Sequence, residues 1–135
     1  MKKLMLISVA ILAAGALAAQ QTAFKRTILQ QSDISVPGRE AITGVGEFQP
    51  GAVAGRHTHA GEEIGYILEG TVVVEIEGKP PVTLGPGKTF IIPAGAIHNA
   101  RNTGNGIAKV LATYIVEKGK PLATPVSGAA QRLER

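Results

Sequence analysis

Between residues 24 and 118, short apolar runs rich in β-branched residues alternate with polar positions and are cut by glycine or proline at close intervals. This period-two pattern with frequent turn residues predicts strands packed into an all-β sandwich or barrel, not helices. The predicted strands cover residues 24–31, 40–49, 54–59, 63–68, 71–77, 82–84, 89–92, 97–102 and 109–116. Pro50-Gly51, Glu69-Gly70, residues 78–81, Gly85-Pro86-Gly87, Pro93-Ala94-Gly95 and residues 103–106 supply the turns between them. Gly51, Gly70, Gly87 and Gly95 are expected to serve positive φ angles at these turns, and Pro93 to end a strand. In residues 71–77, Val72, Val74 and Ile76 fall on one face and Val73, Glu75 and Glu77 on the other, so one face is expected dry and the other wet.

The ends of the chain read differently. Residues 1–19 resemble a secretory leader: Lys2 and Lys3 precede an apolar run from Leu4 to Ala14, and small residues stand at Ala16 and Ala18. An uncleaved anchor competes with this reading, but the run is short for a spanning helix. An exported, periplasmic protein with no stable membrane insertion after cleavage is expected. Residues 119–135 read as a flexible or loosely docked tail, with a short helix from Gly128 compatible with the sequence. A total of 135 residues fits one domain, placed at 24–118.

Charge and cysteine content narrow the partners. The formal net charge is +4, but without Lys2 and Lys3 the chain carries 12 basic against 10 acidic residues, scattered and without runs. This predicts neither nucleic-acid nor anionic-membrane binding. The chain has no cysteine, so it has neither a disulfide framework nor a thiolate ligand or nucleophile. It also lacks a glycine-rich phosphate loop leading into a helix.

All three histidines lie in two glycine-punctuated stretches, residues 51–70 and 87–102. In an extended strand His57 and His59 point to one side while Thr58 turns away. Ala60 and Gly61 permit a tight reversal that would return the Glu63 carboxylate over the same face. His98 comes from a separate strand after the bend at Pro93-Ala94-Gly95. Imidazole and carboxylate suit first-row divalent metals, so His57, His59, Glu63 and His98 are the predicted ligands of one ion. Gly55, Gly65, Ile67 and Ala100 share the ligands' parity, and Phe48, Phe90, Ile92 and Tyr114 are candidate walls of a pocket or ordinary core.

These two stretches resemble the paired motifs of the cupin superfamily. Gly51, His57, His59, Glu63 and Gly70 match the first motif at every fixed position, and Gly87, Pro93, Gly95, His98 and Asn102 match the second. The spacer is short, as in small single-domain bacterial members. The resemblance implies a jelly-roll barrel binding one divalent transition metal ion (Fe, Mn, Ni, Co, Cu or Zn), and similarity to quercetin-dioxygenase-like cupins implies an oxidoreductase acting on a small organic molecule. In that reading Glu63 is also catalytic, taking a proton from a bound hydroxyl. The alternative is a non-catalytic metal or small-ligand binding cupin of the cell envelope. A lyase or isomerase would need another base, for which Glu47, Gln49 and Arg56 are the nearby candidates. Asn102 reads as a turn residue before an orienting one. A homodimer is expected, because the strand at 24–31 offers an edge to cover.

Overall fold

The computed structural model describes residues 23–127, and all the ordered elements among them are strands. In chain order these are β1 (Phe24–Asp33), β2 (Arg39–Phe48), β3 (His57–Thr58), β4 (Gly61–Glu69), β5 (Val72–Ile76), β6 (Val82–Leu84), β7 (Thr89–Ile92), β8 (His98–Asn102), β9 (Ala108–Glu117) and β10 (Thr124–Pro125). They form two five-stranded antiparallel sheets, one in the order β1-β2-β9-β4-β7 and the other β10-β3-β8-β5-β6. The proposed leader, residues 1–19, and the helix considered from Gly128 lie outside the described residues.

Alternation makes the sandwich. Along β2, β4 and β9 every second residue is buried, so each strand has one dry face. Phe48, Ile67, Ile92 and Val110 from the first sheet meet Val72 and Val74 from the second in one core. A smaller cluster of Ile42, Ala112, Tyr114 and Val116 fills the other end, with Leu122 packed against it.

Nine of the ten strands stand where the pattern predicts them, and three details differ. Val73 is buried along with Val72 and Val74, so the outer face of β5 is wet only from Glu75 onward. β3 is much shorter than residues 54–59, because before His57 only Val53 bridges to the neighbouring strand, at Arg101. The tenth strand belongs to the stretch expected to be loose: Thr124 and Pro125 pair with Thr58 and His57. Alternation cannot reveal a strand of two residues, one of them proline.

Candidate metal centre

The four predicted ligands converge from both sheets. His57 opens β3 and pairs in register with His98, the first residue of β8. Their rings face each other with centroids 4.2 Å apart. His59 follows β3, and Glu63 lies on β4 in the opposite sheet, in register with Tyr114 and Ile92. The chain between His59 and Glu63 therefore crosses from one sheet to the other instead of folding back over the same face. Glu63 meets the imidazoles from across the barrel. Gly61 serves this crossing through close approach, not through a positive φ: a Cβ there would lie 1.8 Å from the Ile115 carbonyl oxygen. The four motif glycines expected at turns do have positive φ, between 72° and 82°.

Hydrogen bonds fix how each ring is turned. His57 Nδ1 faces the Gly55 carbonyl at 2.6 Å, His98 Nδ1 the Ala96 carbonyl at 2.9 Å, and His59 Nδ1 the Leu122 carbonyl at 2.5 Å. Only an N–H satisfies a carbonyl, so each neutral ring carries its proton on Nδ1 and presents the Nε2 lone pair inward. His57 and His59 Nε2 lie 3.2 Å apart, and Glu63 Oε2 lies 3.0 Å from His59 Nε2 and 3.1 Å from His98 Nε2. All four donor atoms fall within 4.8 Å of one another, and all four residues are buried.

This donor set fits a divalent cation. Inward lone pairs and a carboxylate have no proton to share between them, so a cation is what brings them into balance. Donors about 2.1 Å from a common ion stand about 3 Å apart when adjacent, which the observed separations match. Backbone carbonyls behind the rings are the usual second partners of metal-bound histidine. Asn99 reinforces one of them: its Oδ1 accepts from Gly55 N–H at 3.0 Å while its Nδ2 donates to Glu75.

Electrostatics set the protonation states. Burial lowers His57 to about 4, against the opposing hydrogen bond to Gly55 and helped by the neighbouring histidines. Burial works against charge on Glu63, but the close His59 and His98 rings, when a proton sits on Nε2, outweigh it by donating to the carboxylate and hold the carboxyl at about 2. At neutral pH the carboxylate is charged and His57 neutral, the states a metal requires. The Tyr114 phenol is pushed up by burial and then by the Glu63 charge, so it stays protonated.

Beside the cluster lies a cavity of about 30 Å³, room for one or two waters. Its apolar walls include Phe24, Phe48, Phe90, Val74, Val110 and Ala100. Phe48, Phe90 and Tyr114 thus stand where they were expected, whereas Ile92 is core. Phe24 and Arg26 of β1 line it without having been anticipated, because β1 reaches the site only through its pairing with β2. Leu122 was missed for the same reason: nothing local marks it as the partner of His59. None of Glu47, Gln49 and Arg56 lines this cavity; Arg56 pairs with Glu77. Asn102 is structural, donating to the carbonyls of Phe48 and Gly106 and accepting from Gly104 N–H.

Comparison with known proteins agrees with this geometry and corrects one expectation. A family model described as a cupin domain matches residues 44–114, just over half of the chain. The solved structure of TT1209 from Thermus thermophilus is 29% identical, with TM-score 0.60, covering 70% of this chain and 85% of that one. The DMSP lyase DddQ from Ruegeria pomeroyi DSS-3 is 24% identical with TM-score 0.64, covering 77% and 52%. An oxalate oxidase in complex with the substrate analogue glycolate is 24% identical with TM-score 0.63, covering 77% and 55%. The last two are similar in fold alone.

Among curated proteins, the HTH-type transcriptional regulator PuuR of Escherichia coli (strain K12) is 38% identical over 68 residues, half of this chain. The match spans 36% of the length of that relative. The expectation that nucleic acid has no part is therefore corrected to a possible regulator context, since the name of the relative is that of a DNA-binding regulator. Scattered basic residues report only whether this chain's own surface gathers phosphates. They carry no information on whether such a domain works within a regulator. With two antiparallel sheets, a buried three-histidine and glutamate cluster and a family model over more than half its length, the chain belongs to the cupin domain family.

Proposed function

We propose that the protein holds one divalent transition metal ion on His57, His59, Glu63 and His98 and acts on a small organic molecule admitted beside it, as an oxidoreductase of the dioxygenase-like kind. The observation that carries this reading is the common inward aim of three Nε2 atoms whose Nδ1 protons are all committed to carbonyls. A redox metal bound there would supply Lewis acidity and electron transfer to dioxygen. The chain supplies the rest. Glu63 stays charged and is the carboxylate able to accept a proton from a substrate hydroxyl, the phenylalanines exclude water, and neutral Tyr114 donates a hydrogen bond. Few other acid or base groups line the cavity, which favours oxidation over hydrolysis.

The test is oxygen uptake with catechol-like substrates and small hydroxy acids in the iron, manganese, nickel and cobalt forms. Turnover in one form supports the reading, and none in any form overturns it. A second reading, a metal-dependent small-ligand sensor without catalysis, is favoured by the match to a transcriptional regulator. Saturable binding of a small molecule with no oxygen uptake would select it. Export through residues 1–19 to the periplasm and pairing of two copies complete the proposal; sequencing the amino terminus of the secreted protein checks the first.

A further inference from the structure

Of the residues lining the cavity, Arg26 alone carries a permanent positive charge. Its guanidinium carbon lies 5.4 Å from the ring centroids of both Phe24 and Tyr114. The Tyr114 phenol interacts with both Arg26 and Glu63. Arg26 Nε is shielded from solvent and has no hydrogen-bond partner among the described residues. A shielded guanidinium N–H left unpaired is costly, so such a group is usually satisfied by a carboxylate or a ligand.

The position of Arg26 shows where that ligand would come from. Phe24, Arg26, Ala54 and His57 also border a second, more open cavity of about 110 Å³, whose lining continues through Arg56, Ala123 and Pro125. The arginine therefore stands where an outer chamber meets the inner one. A divalent ion held by a single carboxylate and three neutral imidazoles, with Arg26 nearby, leaves an excess of positive charge between apolar walls. A neutral guest would leave that excess in place even where its oxygen accepts from Nε. An anionic one offsets part of it and accepts a charge-assisted bond from Nε, and a carboxylate matches the planar fork of arginine.

We propose that the site selects a small carboxylate, with Arg26 pairing its anionic end while its other end faces His57, His59, Glu63 and His98. The proposal rests on the metal-centre reading and adds the substrate class and the residue that sets it. Arg26 is a substrate-binding residue here and takes no part in the proton chemistry assigned to Glu63.

The test compares lactate with lactamide, which differ in charge but hardly in shape. Paramagnetic broadening of each ligand's proton resonances is titrated against manganese-loaded protein. Wild type should bind lactate at least about tenfold more tightly than lactamide. Arg26→Gln should erase that preference while leaving manganese affinity within about twofold, and Arg26→Lys should restore part of it. Equal binding of the two ligands by wild type, or a preference that survives Arg26→Gln, overturns the proposal. If manganese does not bind at all, the metal reading falls. The same comparison in metal-free protein, read by calorimetry, then decides the arginine alone: lactate preference lost in Arg26→Gln upholds its role, and no preference ends it.

Discussion

Exchanging the carboxylate of residue 63 for an amide keeps the shape of the cluster and removes its only fixed negative charge. Glu63→Gln should lower manganese or zinc affinity by at least about a hundredfold, measured by competition with a chelator. Acid should act in the same direction. Folded His57 takes a proton only near 4, whereas the unfolded chain takes it near 6.5, so between those values the unfolded state binds more protons. The stability that His57 contributes is fully present above 6.5 and is lost as pH falls to 4, on the order of 3 kcal/mol. Glu63 adds a loss between 4.5 and about 2. Urea melts of metal-free protein from about pH 7.5 to about pH 4 should show the first slope, and His57→Gln should flatten it. The four ligands were legible in the sequence because histidine and glutamate advertise metal chemistry and their parity is local. Arg26 and Leu122 were not, because one arrives through strand pairing and the other through a carbonyl, which every residue possesses.

At the level of the strand, glycine and aromatic residues are matched across β4 and β7. Gly65 lies opposite Phe90, and a Cβ at 65 would sit 2.1 Å from the ring. Gly65→Ala should therefore destabilise the fold by about 1–3 kcal/mol, with partial recovery when combined with Phe90→Leu, as chemical denaturation would show. Sequence alone marked Gly65 as small and inward-facing, but the ring that requires it comes from another strand. β10 offers a second test. Ending the chain after Lys120 removes the carbonyl of Leu122 from His59 Nδ1 together with the pairing to β3. Metal affinity should fall by about tenfold to a hundredfold while the two-sheet circular dichroism spectrum is kept. The tail looked loose because proline and small residues carry no alternation; its order is imposed by the strand it covers.

At the scale of the molecule, the outer face of the β1-β2-β9-β4-β7 sheet has no covering partner among the described residues. Ile64 and Ile91 stand in register and remain exposed, as does Tyr66 two pairs along on the same face. Contiguous apolar surface of this kind commonly marks an interface, and β1 leaves an open edge at the opposite side of the same sheet. If two copies pair through this face, Ile64→Glu should shift a dimer to a monomer in analytical ultracentrifugation without changing metal affinity. A wild-type monomer at micromolar concentration would remove the dimer. The sandwich itself was readable from alternation and turns. Which strands adjoin was not, since β2 neighbours β9 across a separation that no local pattern records.

His57 and His98 belong to one sheet and Glu63 to the other, and the chain has no cysteine to tie the two layers covalently. A captured ion would therefore act as a rivet through the sandwich. Its escape and the parting of the layers would share a barrier, so a chelator would shorten the lifetime of the fold as well as empty the centre.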